Sequence, residues 1–166
     1  MSVYTILVAI DFSNGSIAAL RWAIDFADKS NANLKIVHVT HDPADAPGTY
    51  KRARKDILKP MTEIAQEQID AFLEKMVCTF PNSTALRNAE ILLVAGLPAK
   101  RIVSVAKKTE ANHIVLGCLG ENKIPSAFVG SVALRVLKKS PMPVTIIKAK
   151  TKKKKRKGNN NKNSKD

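Results

Sequence analysis

Five short apolar runs, separated by stretches of helical periodicity or by turns, constrain this chain more than any other feature. The first, residues 3–10, reads Val-Tyr-Thr-Ile-Leu-Val-Ala-Ile and ends at Asp11. A β-prone run with no polar alternation fits a strand covered on both faces of a parallel sheet. Leu34–Val39, Glu90–Ala95, His113–Leu116 and Val144–Ile147 have the same character and are shorter.

Helical signals fill the intervals. After the first run, Asp11, Ser13 and Asn14 offer caps, and Ile17, Leu20, Ile24 and Ala27 put one apolar stripe on a helix. Trp22 and Phe26, four apart on that helix, need only core packing as their explanation. Residues 40–55 carry Pro43, Pro47 and Gly48 without an apolar period, which predicts a loop. From about Asp56, the positions Met61, Ile64, Ala65, Gln68, Phe72, Leu73 and Met76 predict a long helix. Pro98 opens a third helix carrying Ile102, Val103 and Ala106. A fourth runs from roughly Gly130 to Lys139, and Pro141 and Pro143 precede the last strand. The order is β-α-β-α-β-α-β-α-β. Right-handed crossovers between buried parallel strands make that an open, doubly wound α/β sheet.

Composition bounds the rest. A chain of 166 residues, 45% of them apolar, is enough for one domain with its own core. No apolar run approaches the roughly 20 residues that span a bilayer, so no membrane insertion is expected. Residues 1–10 lack the basic start and small-residue cleavage site of a signal peptide. Cys78 and Cys118 make neither a disulfide framework nor a CxxC metal site, which points to a reducing cytoplasm.

The formal charge of +14 invites a nucleic-acid reading until its location is known. Residues 150–166, Lys-Thr-Lys-Lys-Lys-Lys-Arg-Lys-Gly-Asn-Asn-Asn-Lys-Asn-Ser-Lys-Asp, hold nine basic residues and one acid, net +8. With almost nothing apolar to bury, that stretch cannot repay the entropy of ordering. The expected organisation is therefore a folded domain over residues 1–148 and a disordered basic tail over 149–166. Lys152–Lys157 would bind polyanions through counterion release, with steep salt dependence and little sequence choice. No interleaved aromatic is present to stack bases.

On a doubly wound sheet, ligands bind outside the carboxyl ends of the strands, where strand order reverses. The ends that matter are Ala9, Ile10, Asp11 and Ser13 after the first strand, Val39–His41 after the second, and Gly117–Gly120 after the fourth. Gly117 and Gly120 permit a sharp turn and a close backbone approach to a ligand. Gly130, Ser131 and Val132 lie at a helix N-terminus, where free N–H groups and the dipole favour an anion by about 0.3–1 kcal/mol. Two such elements flanking one crevice suit a polyphosphate. Asp11 offers a carboxylate to ribose hydroxyls and Ser13 a further hydrogen bond; capping of the first helix is the equally weighted alternative.

These residues carry a resemblance. Residues 3–11, Gly96-x-Pro98, Ile114-Val-Leu-Gly117 and Ser140-Pro-Met-Pro-Val144 resemble the universal stress protein family. Gly117-x2-Gly120-x9-Gly130-Ser131 is similar, at every spaced position, to the pattern of that family's ATP-binding branch. The resemblance covers residues 1–148. It implies a Rossmann-like, adenine nucleotide alpha hydrolase-like sheet of five parallel strands in the order 3-2-1-4-5, commonly dimeric. It also implies Asp11 at the ribose, Val39 against adenine, and Gly117, Gly120, Gly130, Ser131 and Val132 lining the phosphates of ATP. The sequence departs from the family at Cys118 and Leu119, where polar residues are usual, and at Asn112, where an acid is usual. Lys123 in the spacer offers charge to a phosphate or is an exposed loop lysine.

Other chemistries find less support. There is no Gly-x4-Gly-Lys-Ser/Thr P-loop and no Gly-x-Ser-x-Gly elbow. His38 and His41 have no acidic or cysteine companion at metal spacing; a Mg²⁺ ion carried in with ATP needs few protein ligands. Cys118 has no flanking base to lower its pKa, and reads as inert rather than oxidant-sensing. Lys51–Lys55 reads as a solvated helix entry, with a phosphate lid as the alternative. Val144–Ile147 should be an edge strand, and an unprotected edge pairs, here by a homodimer two-fold. The expectation is an ATP-binding, nucleotide-dependent stress regulator in the cytoplasm, without catalytic residues. The alternatives are a tail-mediated binder of nucleic acid or anionic surfaces, and a slow ATPase.

Overall fold

The computed structural model describes residues 3–40, 61–118 and 129–149. The chain begins with β1 (Thr5–Ile10), α1 (Asn14–Ser30) and β2 (Asn33–Thr40). It continues with α2 (Met61–Thr79), a one-turn α3 (Thr84–Arg87) and β3 (Glu90–Ala95). Last come α4 (Pro98–Lys108), β4 (His113–Gly117), α5 (Ser131–Lys139) and β5 (Val144–Ile147). All five strands are parallel in the order β3-β2-β1-β4-β5. The doubly wound sheet expected from the sequence is therefore the fold.

β1 is the axis of the molecule, and every one of its residues is buried. Ile6, Val8 and Ile10 join the core under α1, α2 and α3; Leu7 and Ala9 join the core under α4 and α5. Full burial of a Leu, Ile or Val side chain contributes about 1.5–3 kcal/mol. A strand with both faces so covered has no place at an edge. Its register fixes the neighbours: Ile10 lies opposite His38 on β2, and Val8 opposite Val115 on β4.

α1 lies close to the sheet because its buried face is mostly small. Gly15, Ser16, Ala19, Ala23 and Ala27 accompany Leu20 and Ile24, whereas Ile17 is only half-buried. Asn31 in the left-handed conformation (φ 54°) ends the helix. Trp22 packs against the core as expected, and Phe26 departs from that expectation. They stack on each other at 5.1 Å, with Phe26 exposed at the surface. α2 also differs in detail from the expected stripe: Ile69 is fully buried, and Gln68 is exposed.

The amino-end edge of the sheet is locked by polar contacts. Asn112 accepts the Thr5 N–H on Oδ1 at 2.7 Å and donates its own N–H to the Thr5 carbonyl at 2.8 Å. His113 lies between the Tyr4 hydroxyl at 3.2 Å and Thr145 Oγ1 at 2.7 Å, tying β1, β4 and β5 together. The departure at Asn112 thus belongs to the edge opposite the candidate site. Several sequence expectations lie outside the described residues: the stretch 41–60 with His41 and Lys51–Lys55, the segment with Leu119, Gly120 and Lys123, and the tail at 150–166. No helix among the described residues is long and apolar enough to cross a membrane.

Candidate functional site

The carboxyl ends of β1, β2 and β4 form one rim. α1 leaves β1 on one face, while α4 leads into β4 on the other, so strand order reverses between β1 and β4. Ala9, Val39, Leu116 and Ala133 belong to a single cluster, which brings β1, β2, β4 and the first turn of α5 to one side of that crevice. Ala9 and Ile10 are buried and Val39 is half-buried opposite Val94.

Asp11 is exposed at the end of β1, and its Oδ1 accepts the Ser13 N–H at 3.1 Å. Ser13 is the N-cap of α1: its Oγ accepts the Ser16 N–H at 3.1 Å and is buried there. The capping role open to Ser13 is therefore realised. Asp11 keeps an exposed carboxylate beside it.

Between these two residues Phe12 adopts φ 61°, a left-handed conformation costing a residue with a Cβ about 1–2 kcal/mol. Its ring is 4.6 Å from His38 and 5.4 Å from Phe72 of α2, centroid to centroid. His38 is buried, with Nδ1 2.9 Å from the Ile10 carbonyl. Facing a carbonyl oxygen, Nδ1 carries the proton and donates. Burial pushes the His38 pKa below 6.5, against weaker opposing effects of the Ile10 carbonyl and the Asp11 charge. The left-handed turn that carries Asp11 thus stands on an aromatic platform from β2 and α2. Sequence reasoning did not find that platform, because its members are far apart along the chain.

Gly117 closes β4 for a reason that is not a ligand. A Cβ on it would stand 2.5 Å from the Gly15 carbonyl carbon and 2.7 Å from the Ser16 nitrogen. Its bareness lets the end of β4 meet the first turn of α1. Cys118 is buried next to it and uses its backbone in two directions. Its N–H donates to the Ile147 carbonyl at 2.7 Å, and its carbonyl accepts the Gly130 N–H at 2.7 Å.

That second bond sets the start of α5. Gly130 is the N-cap, with φ −63° and ψ 153° and no side-chain cap. The intrahelical ladder begins with the Leu134 N–H donating to the Gly130 carbonyl at 2.9 Å. The N–H groups of Ser131, Val132 and Ala133 therefore precede any intrahelical acceptor. No acid stands in this first turn, and both Ser131 and Val132 are exposed. An uncapped helix start without negative charge fits a phosphate group. Of the expected site residues, Gly120 lies outside the described residues. The others converge on the rim. Among the described residues no three His, Cys, Asp or Glu side chains cluster to hold a metal.

Comparison with known proteins follows the same outline. Universal stress protein MJ0531 of Methanocaldococcus jannaschii is 29% identical over 143 residues, covering 86% of this chain and 81% of its own. The structure of the universal stress protein UspA from Lactobacillus plantarum superposes with a TM-score of 0.70 at 24% identity, over 89% of this chain and 99% of that one. A universal stress protein solved in complex with cAMP gives 0.61 at 25% identity, over 90% of this chain and 100% of that one. The family model described as the universal stress protein family matches residues 3–148. The chain belongs to the universal stress protein family.

Proposed function

We propose that this protein binds ATP at the rim between β1 and β4 and acts as a nucleotide-dependent regulator in the cytoplasm. The observation that carries the reading is the uncapped start of α5, whose Gly130 is tied by its N–H to Cys118 directly beyond β4. The complex of a related stress protein with cAMP supports an adenine nucleotide as the ligand. The N–H groups of Ser131 and Val132 hold phosphate oxygens next to Gly117 at the end of β4, and Gly120 is assigned to the same phosphate cradle on its spacing in the sequence. Asp11, exposed at the end of β1, accepts ribose hydroxyls. Val39 and the buried Ala9, on one face of the sheet, form the apolar floor toward adenine, and Ile10, buried on the other face, leads the backbone to Asp11.

A magnesium ion accompanying the nucleotide would neutralise phosphate charge, and it needs few protein ligands. Binding rather than turnover is the function assigned. Residues 1–148 are the nucleotide-binding domain, and residues 149–166 an appended basic tail.

We further propose a homodimer through β5, an edge strand whose four residues are all half-buried. Isothermal calorimetry with Mg-ATP tests the central reading. Saturable heat with a rise in melting temperature is expected; no heat and no stabilisation would remove the site assignment.

A further inference from the structure

We infer that Phe12 is a positioning residue of the nucleotide site. Its ring, held by His38 and Phe72, sets the Asp11 carboxylate to accept a ribose hydroxyl and so makes binding selective for nucleotides that carry ribose. The inference rests on the reading of Asp11 as the ribose acceptor and adds what fixes that carboxylate.

The backbone gives the first reason. Among the described residues, three that carry a Cβ lie in the left-handed region: Phe12, Asn31 and Glu110. Two of them end helices. The Ala32 N–H donates to the Ala27 carbonyl past Asn31, and the Ala111 N–H to the Ala106 carbonyl past Glu110, closing the last turns of α1 and α4. Phe12 ends no helix. It stands between β1 and the N-cap Ser13 with φ 61°, a region to which bulky side chains are poorly suited. Core packing accounts for its ring, which lies against the cluster under α1 and α2, but not for the backbone that delivers it. Strain of this kind persists where the surroundings over-determine it, and it gathers at ligand sites.

His38 provides two of the constraints. Its Nδ1 donates to the Ile10 carbonyl at 2.9 Å, fixing the residue before Asp11. Its ring lies 4.6 Å from that of Phe12, fixing the residue after Asp11, and Phe72 meets Phe12 edge-on at 5.4 Å. His38 is buried and in register with Ile10 across the β1–β2 ladder, so it is itself held by the sheet. Asp11 is therefore exposed while both of its chain neighbours are clamped. Its Oδ1 accepts the Ser13 N–H at 3.1 Å, which orients the carboxylate and leaves Oδ2 for a ligand. A carboxylate already ordered gives up little freedom when a hydroxyl reaches it, and hydrogen bonds to a charged acceptor are the strong ones. The hydroxyl-dependent part of binding is what the stack supplies; contacts to base and phosphates do not pass through it.

The test is calorimetry on the full-length protein with Mg-ATP and with Mg-2′,3′-dideoxy-ATP, which lacks both ribose hydroxyls. Phe12→Gly removes the ring and leaves the left-handed turn at no steric cost, and Phe12→Asn is a second variant that tolerates the same conformation. The wild type is expected to prefer ATP by about tenfold or more. In both variants the preference should fall to about twofold or less, with dideoxy-ATP affinity kept, and Phe12→Tyr, which keeps the ring, should restore it. A wild-type preference retained without the ring would overturn the inference and leave the ribose reading standing. Equal losses for both nucleotides would assign the ring to the fold alone and overturn it too. A wild type that binds both nucleotides equally would remove Asp11 as the ribose acceptor, and the inference with it, while keeping the pocket. Binding of neither would remove the pocket reading itself.

Discussion

Gly117 and Gly15 meet backbone to backbone: a Cβ on Gly117 would stand 2.5 Å from the Gly15 carbonyl carbon. The contact joins the end of β4 to the first turn of α1 across the crevice. It gives Gly117 a duty in the fold whether or not a ligand is bound. Gly117→Ala has no room without moving α1, and overpacking of this kind costs about 1–3 kcal/mol. The urea midpoint should fall by a corresponding amount with the slope unchanged. A midpoint equal to that of the wild type would show that α1 yields at no cost.

Gly130 presents the opposite case. Its φ of −63° and ψ of 153° suit any residue, and an aspartate at an N-cap is favourable to the helix. Gly130→Asp should therefore leave stability at or above that of the wild type, within about 1 kcal/mol. Its carboxylate would face the phosphates, and Mg-ATP affinity should fall more than about tenfold, or 1.4 kcal/mol. Calorimetry and thermal melting on the same sample separate the two effects. Retained ATP binding would place the phosphates elsewhere.

His38 makes stability depend on pH in a defined direction. Burial holds its pKa in the folded protein below 6.5, so just below pH 6.5 the unfolded chain binds the extra proton and the folded chain does not. Stability is then full above pH 6.5 and declines as the pH falls toward the folded pKa. His113 shifts the same way, also through burial, and adds to the trend. His38→Gln keeps a donor for the Ile10 carbonyl but does not titrate. Melting curves between pH 7.5 and 5.5 should show a smaller drop for the variant. An equal drop would assign the effect to other groups.

The proposed dimer predicts its own disruption. Ile146 is half-buried on an edge strand, and a lysine there is the kind of charge that blunts sheet edges. Ile146→Lys should sediment as a monomer while the wild type sediments as a dimer at micromolar concentration. A wild-type monomer would remove the dimer outright.

What could be read from the chain divides along the range of the interactions. β1 and β4 were legible because burial on both faces leaves a continuous apolar run, and α4 because Pro98 marks its first turn. α3 was not legible. Four residues carry no period, and its sign is the single Ser83 cap accepting the Leu86 N–H at 3.0 Å. Gln68 was misplaced on the α2 stripe because Ile69 fits the same helical face and is the better hydrophobe. At the rim, the glycines and Asp11 stand out because each lies beside a strand end or a helix start. The stack of Phe12, His38 and Phe72 does not, because it exists only once β2 and α2 have packed. Gly117 was legible as special, but its partner Gly15 became known only from the packing.

The central position of β1 also bears on how the chain can be made. Ile6, Leu7 and Val8 pair with β4 residues that begin at His113, so a growing chain completes β1, β2 and β3 long before that second ladder is available. Until residue 117 has emerged, the most apolar strand of the protein keeps one side open to any other strand it meets. Nonlocal parallel pairing is slow, and such half-built sheets are the species that aggregate. The innermost strand is the first to be synthesised and among the last to be fully enclosed.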